Sequence, residues 1–230
     1  MEKFAAVKLG GRKIADQRSL LHFFKGCLHK RSIIVSLFDY SGLWSAPYRQ
    51  AGCRVLQVES KLGFDLFSWN YKAIRPELVA GILAAPPCTD FSGSGAQYWT
   101  QKDKDGRTAQ SVRIIKRTLA IVKHFNPPFW VLENPVGRLN KLVPLLEQYG
   151  PWYFEPYWYG DPWSKKTGLW GIFNRPKPNR IVRPVKFNKQ GSWIQLLGGK
   201  SEQTKELRSI TPPGFARAFY NANPIRMHGI

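Results

Sequence analysis

Two short segments concentrate groups able to do covalent chemistry, A-A-P-P-C-T-D-F-S-G-S-G at residues 84–95 and V-L-E-N-P-V-G at residues 131–137. Cys88 follows two prolines that stiffen its loop and precedes a Gly/Ser-rich stretch able to fold over a substrate. A thiolate is the nucleophilic form of cysteine, and a basic surround favours it. A lone cysteine is ordinarily a small buried apolar group, but nothing structural calls for one after Pro86-Pro87. Glu133 closes an apolar run just before Asn134-Pro135, which predicts a strand end facing the same cleft. Cysteine and glutamate on neighbouring strands supply a nucleophile and a proton donor or hydrogen-bond partner.

A second group of residues suggests a nucleoside. S-L-F-D-Y-S-G-L-W-S at residues 36–45 places Ser41-Gly42 between a strand and a helix, where a ligand can approach the backbone. Glu59 ends the next strand 17 residues after Gly42, a position from which an acid grips the two hydroxyls of a ribose. Asp65, in G-F-D, is placed to accept from an adenine amino group. Each acid alone reads as surface; together they outline an adenosine site.

The elements that must hold these residues alternate in type. Strands are expected at 33–38, 54–59, 78–84 and 129–132, and a final strand pair at 153–159 and 169–173. Helices are expected at 43–51, at 108–125 from the spacing of Val112, Ile115, Leu119 and Val122, at 138–149, and at 213–221 with Thr211 as its cap. A further helix is expected near Arg18–Cys27. This alternation predicts an α/β protein with an open, mostly parallel sheet, which binds ligands where the strand order reverses. Every candidate residue falls at a strand end.

Of the 230 residues, 35 are Lys or Arg and 15 Asp or Glu, a net charge of +20. Residues 1–32 carry +6 of it and residues 160–230 carry +10, leaving +4 on the 127 residues between. Two basic flanks around a balanced middle suit a polyanion, nucleic acid foremost, with Trp158, Tyr159, Trp163, Trp170, Phe173, Phe187 and Trp193 interleaved for bases or sugars. Three cysteines (Cys27, Cys53, Cys88) without a C-x-x-C exclude a disulfide framework and a Cys-rich zinc site; no metal site is expected. The first residues lack the apolar core of a secretory signal and no apolar run is long enough to span a bilayer, so a cytoplasmic protein is expected; its oligomeric state is left open, with a monomer favoured.

Three pieces in order resemble the DNA (cytosine-5) methyltransferases: F-x-x-x-G from Phe38 to Gly42, P-P-C-x-x-F-S from Pro86 to Ser92, and E-N-P from Glu133, which is E-N-V in most members. The resemblance covers roughly residues 33–173, and Y-G-D-P-W-S-K-K-T-G-L-W-G at 159–171 looks like the later family segment Y/F-G-x-P-Q-x-R-x-R. The small size and the K-K-T-x-L-W form look most like compact phage-type members, whose setting is the host cytoplasm. The resemblance implies a class I S-adenosylmethionine-dependent (Rossmann-like) fold, S-adenosyl-L-methionine as donor, and double-stranded DNA as partner. It implies that Cys88 attacks a flipped cytosine while Glu133 stabilises the ring. Phe38, Tyr40, Ser41, Gly42, Leu43, Trp44, Glu59, Asp65, Pro86, Arg208 and Ser209 would line the donor site. Ser92, Asn134, Lys165 and Lys166 would face the DNA or its target base, the two lysines standing for the segment's arginines. The implied organisation is a basic extension over 1–32, a catalytic domain over 33–171, a short target-recognition region over 172–207 and a segment returning to the donor over 208–230.

Two departures stand out. Only five residues separate Glu59 from Asp65, where members fit a helix and a strand, so one edge strand is expected to be missing. The closing family motif G-N-S-V corresponds to L-R-S-I, which puts Arg208 where an Asn sits beside the donor. A cation there repels a sulfonium but suits a donor with an added carboxylate, carboxy-S-adenosylmethionine, which would yield 5-carboxymethylcytosine. A DNA-binding relative without activity and an RNA cytosine methyltransferase are the rival readings.

Overall fold

The computed structural model describes residues 7–9, 12–14, 32–186, 192–197 and 201–225. The helix expected near Arg18–Cys27 lies outside the described residues. A short antiparallel ribbon, β1 (Val7–Leu9) and β2 (Arg12–Ile14), precedes a six-stranded sheet.

The sheet is centred on β3 (Ile33–Leu37), whose β-branched run I-I-V-S-L is buried on both faces. Ile33, Val35 and Leu37 point into one core cluster and Ile34 into the other, the alternation a central strand requires. β3 pairs in parallel with β4 (Arg54–Val58) on one side and β5 (Val79–Ala84) on the other. β5 pairs in parallel with β6 (Phe129–Pro135), and β8 (Thr167–Ile172) runs antiparallel between β6 and β7 (Trp152–Phe154). The order is β4-β3-β5-β6-β8-β7. After β4 the chain crosses back over β3, so the order reverses between β3 and β5, the place at whose carboxyl side open α/β sheets bind ligands.

Helices cover both faces. α1 (Ala46–Gln50) and the C-terminal α7 (Pro213–Ala222) bury Tyr48, Phe215 and Phe219 against one face. α3 (Arg107–Phe125) buries Ile115, Ile121, Val122 and Phe125 against the other. The expected helix at 138–149 is instead a single turn, α4 (Leu139–Leu142), followed by a 3-10 turn, because Pro144 cannot continue the ladder. Pro156 likewise ends β7 early, and the expected strand at 153–159 becomes a 3-10 turn after Phe154. Thr211 does not cap α7: the buried carboxylate of Asp161 does so from a distant loop, accepting from Gly214 N at 3.2 Å and Phe215 N at 3.1 Å.

Between β4 and β5 stand only 3-10 turns, so the edge strand expected to be missing is absent among the described residues. Arg117 of α3 pins this segment: Nε donates to the Leu66 carbonyl at 3.3 Å, Nη2 to that of Phe67 at 3.2 Å, and the guanidinium lies 4.8 Å from the Tyr71 ring centre. Three helices were not legible as periodic patterns: α2 (Trp99–Lys104), α5 (Trp193–Leu196) and α6 (Glu202–Ser209). No helix among the described residues is long and apolar enough to cross a membrane.

Candidate active site

The loop after β3 is shaped by Asp39, a residue outside the expected donor set. Asp39 is buried, and its Oδ2 accepts from Ser36 Oγ at 3.0 Å, Ser45 N at 3.1 Å and Ser45 Oγ at 2.8 Å, while Gln57 Nε2 donates to its carbonyl at 2.7 Å. This clasp holds Phe38 at φ 62° and Gly42 at φ 68°. A Cβ at Gly42 would stand 3.1 Å from Gln57 Nε2, so glycine meets both the conformation and the space.

The expected donor residues divide. Tyr40 and Ser41 are exposed, and Phe38 and Leu43 are half-buried. Trp44 is fully buried, packed edge-on against Phe219 in the core beneath α7, which corrects its expected place in the donor site: the turn into α1 directs it away from the crevice. Glu59 follows β4 half-buried and caps the 3-10 turn after it, its Oε1 accepting from Lys61 N at 3.1 Å and Ser60 Oγ at 2.9 Å. Asp65 is exposed and caps its own turn through Ser68 N at 2.8 Å. Lys61 Nζ lies 5.1 Å from the Tyr40 ring centre and pairs with Glu206 of α6 at 2.8 Å, which links that helix to the end of β4.

The loop after β5 carries the cysteine. Ala84 pairs with Leu132, so Glu133 and the Pro86–Cys88 turn leave neighbouring parallel strands side by side. The Cys88 carbonyl accepts from Phe91 N at 3.0 Å and Ser92 N at 2.9 Å, closing a tight turn. The next residues are zipped to the loop beyond β6 by Gly93 N to Val136 O at 2.8 Å and Arg138 N to Phe91 O at 2.9 Å. Ser92 Oγ lies 2.9 Å from Ser94 Oγ.

Cys88 is open to solvent but stands among dense protein, which pushes its thiol above the ordinary range. Lys165 pulls it down, Glu133 pushes it up, and the Arg208 cation pulls it down more weakly. Burial outweighs the two cations, so the lowered thiol expected from a basic surround is not reached. Burial also raises the Glu133 carboxyl, again against Lys165, which favours a protonated, hydrogen-bond-donating form. Cys88, Glu133, Lys165 and Arg208 therefore share one field.

The remaining expected contacts separate. Pro86 is buried beneath the loop. Asn134 is fully buried and donates Nδ2 to the Pro86 carbonyl at 3.2 Å, so it holds the cysteine loop; its expected exposure to DNA is corrected. Glu155 accepts from Lys165 N at 2.9 Å and Ser164 Oγ at 3.1 Å, and Lys165 Nζ donates to the Arg208 carbonyl at 2.7 Å. Lys166 points elsewhere, its Nζ 4.9 Å from the Tyr153 ring centre. Counted along the family segment, the second arginine position falls on Thr167, which is buried and donates to the Lys165 carbonyl at 2.8 Å. Of the two adjacent lysines, Lys165 acts on the Cys88 thiol and Lys166 lies over Tyr153. Ser209 is exposed and donates to the Glu206 carbonyl at 2.8 Å.

No protein-family model matches the chain. The type II methyltransferase M.DdeI of Desulfomicrobium norvegicum is 29% identical over 126 residues, which are 46% of this chain and 28% of that protein. This match spans little more than a quarter of the relative's length. Among solved structures, the Entamoeba histolytica methyltransferase EhMeth aligns with a TM-score of 0.44 at 17% identity, over 75% of this chain and 61% of that one. The S. pombe Dnmt2 methyltransferase aligns with a TM-score of 0.40 at 14% identity, over 62% and 49%. Over that stretch, this chain is similar to a type II methyltransferase.

Proposed function

We propose that this chain is a DNA cytosine-C5 methyltransferase that works through a covalent adduct on Cys88. The observation that carries the reading is the convergence of Cys88 and Glu133 from neighbouring parallel strands on one field with Lys165. The target cytosine is taken out of the duplex into the cleft. Cys88 Sγ, as thiolate, adds to C6, and the C5–C6 π pair moves onto C5. Glu133 donates at N3 and holds the ring while that charge develops. When bound, S-adenosylmethionine supplies an electrophilic methyl group, and C5 takes it as the neutral thioether leaves. Loss of the C5 proton to a base re-forms C5=C6 and expels the Cys88 thiolate.

The donor crevice lies where the strand order reverses, with Glu59 suited to ribose hydroxyls and the open Tyr40 ring offering an aromatic face. The DNA contact is assigned to the stretch between Asp161 and Glu202, which holds nine Lys and Arg and no acid. Part of it is laid down as an ordered ridge by Arg180 N to Trp158 O at 3.2 Å, Val182 N to Tyr157 O at 2.9 Å and Val185 N to Pro162 O at 2.8 Å. Arg175, Lys177, Arg180, Arg183 and Lys186 remain exposed along it, a geometry suited to phosphates.

The location of Arg208 favours a second donor. The support for this reading is that the Arg208 cation weakly lowers the Cys88 thiol, and a guanidinium is suited to pair with the carboxylate of carboxy-S-adenosylmethionine. Incubating the protein with duplex DNA and each donor, followed by nucleoside mass spectrometry, tests both readings. A methyl mass shift on deoxycytidine that is lost in Cys88→Ala supports the first. Preferential carboxymethyl transfer that is lost in Arg208→Asn supports the second. No shift with either donor overturns both, and activity on structured RNA alone moves the substrate to RNA.

A further inference from the structure

The loop that carries Cys88 rests on a buried ionic network that the chemistry above does not use. Asp90 and Lys102 are both buried, their side chains 12% and 7% exposed, with Lys102 Nζ 3.2 Å from Asp90 Oδ1. The same ammonium donates to the Thr89 carbonyl at 2.5 Å, and Asp90 Oδ2 accepts from Ser111 Oγ of α3 at 2.6 Å. Lys102 therefore touches both residues that follow the nucleophile. On the neighbouring position of α2, Asp103 takes a bidentate pair of bonds from Arg138, both at 2.8 Å. Arg138 also donates Nε to the Asp90 carbonyl at 3.0 Å and lies over the Trp99 ring at 4.6 Å. Arg138 follows Glu133 by five residues on the chain leaving β6. One turn of helix thus reaches the cysteine loop through Lys102 and the glutamate strand through Asp103.

We propose that Lys102 is a positioning residue for Cys88, and that α2 sets the separation of nucleophile and acid through Lys102 and Asp103. This proposal rests on the methyltransferase reading. A surface lysine solvates its ammonium in water; here the cation is out of water and spends its donors on the two residues after Cys88. Burial of a charge pair is weak support for stability alone, since apolar residues of similar volume serve as well. What the pair provides is a fixed geometry for the Thr89 carbonyl and the Asp90 side chain, and through them for the Cys88 turn. Displacing a reacting atom by about 1 Å costs on the order of 100-fold in rate.

The test is single-turnover covalent trapping on duplex DNA containing 5-fluorocytosine, with S-adenosylmethionine and the full chain. Lys102→Met is compared with the double variant Asp90→Asn/Lys102→Met, which leaves no uncompensated buried charge and keeps an acceptor for Ser111. Trapping amplitude reports the folded fraction, and the rate constant reports the geometry of the folded enzyme. The expected result is a rate constant lowered about 10- to 100-fold in both variants, with DNA concentration for half-maximal rate unchanged. A rate constant within about twofold of wild type in the double variant, with only amplitude or melting temperature altered, assigns Lys102 to folding alone and overturns the proposal. Absence of trapping in the wild-type protein overturns the methyltransferase reading, and the proposal with it.

Discussion

Asn134 of β6 donates its side-chain amide to the carbonyl of Pro86, 3.2 Å away and fully out of water. The bond ties the residue after Glu133 to the residue two before Cys88, so the spacing of the two reactive groups is held next to both. Replacing Asn134 with Leu keeps the volume and leaves the Pro86 carbonyl buried without a donor, which costs about 1–3 kcal/mol. The expected outcome is a lower urea midpoint and a slower trapping rate in the fraction that folds. An unchanged midpoint would show that the loop finds another donor.

Gly137 lies where the loop beyond β6 passes the loop beyond β5. A Cβ at this position would stand 1.9 Å from the Phe91 carbonyl oxygen, a backbone atom that cannot swing aside. Gly137→Ala must therefore part the two loops and break the Arg138 N to Phe91 O bond. The expected result is loss of most trapping activity, accompanied by faster amide exchange at Arg138. Retention of wild-type rate would mean the close approach has no bearing on Cys88.

What could be read in advance follows from which interactions are local. β3, β5 and α3 were legible because a buried strand needs a β-branched run and a packed helix needs apolar spacing of three and four. The placement of Cys88 and Glu133 on neighbouring strands was legible because each stands beside prolines after an apolar run. The roles of Asp39, Asp90, Lys102 and Asp161 were not, because each depends on partners placed by the fold. Asp161 caps a helix that begins more than fifty residues later. Asn134 and Trp44 belong to motifs, but a motif does not tell whether a side chain faces the cleft or the core. The pair Lys165–Lys166 shows the same limit at one-residue resolution: the Lys165 charge acts on Cys88, while Lys166 lies over Tyr153.

Asp161 holds α7 by accepting from two backbone N–H groups at the start of that helix, and α7 in turn covers Trp44 and Tyr48. Asp161→Ala leaves both donors without this acceptor and costs about 1–2 kcal/mol, as for loss of a helix cap. Asp161→Asn retains one acceptor oxygen and should lose less. Denaturant titration of the three proteins checks the order; a destabilisation of Asn equal to that of Ala would assign the effect to charge instead of the cap.

The Cys88 thiol is raised by burial and opposed chiefly by Lys165. The sign then fixes a pH profile. A raised thiol is mostly protonated at neutral pH, so the free protein should react with iodoacetamide slowly there and faster as pH climbs past the ordinary cysteine range. Removing the lysine charge takes away the larger of the two cationic influences on the thiol. In Lys165→Met the alkylation profile should therefore shift further to alkaline pH, while Lys166→Met, whose charge lies over Tyr153, should leave it in place. Because Arg208 acts more weakly on the same thiol, Arg208→Asn should move the profile in the same direction by less. Mass spectrometry of Cys88 adducts across pH in the four proteins reads all of this at once. Equal shifts in both lysine variants would show that net charge, and not placement beside Cys88, governs the thiol.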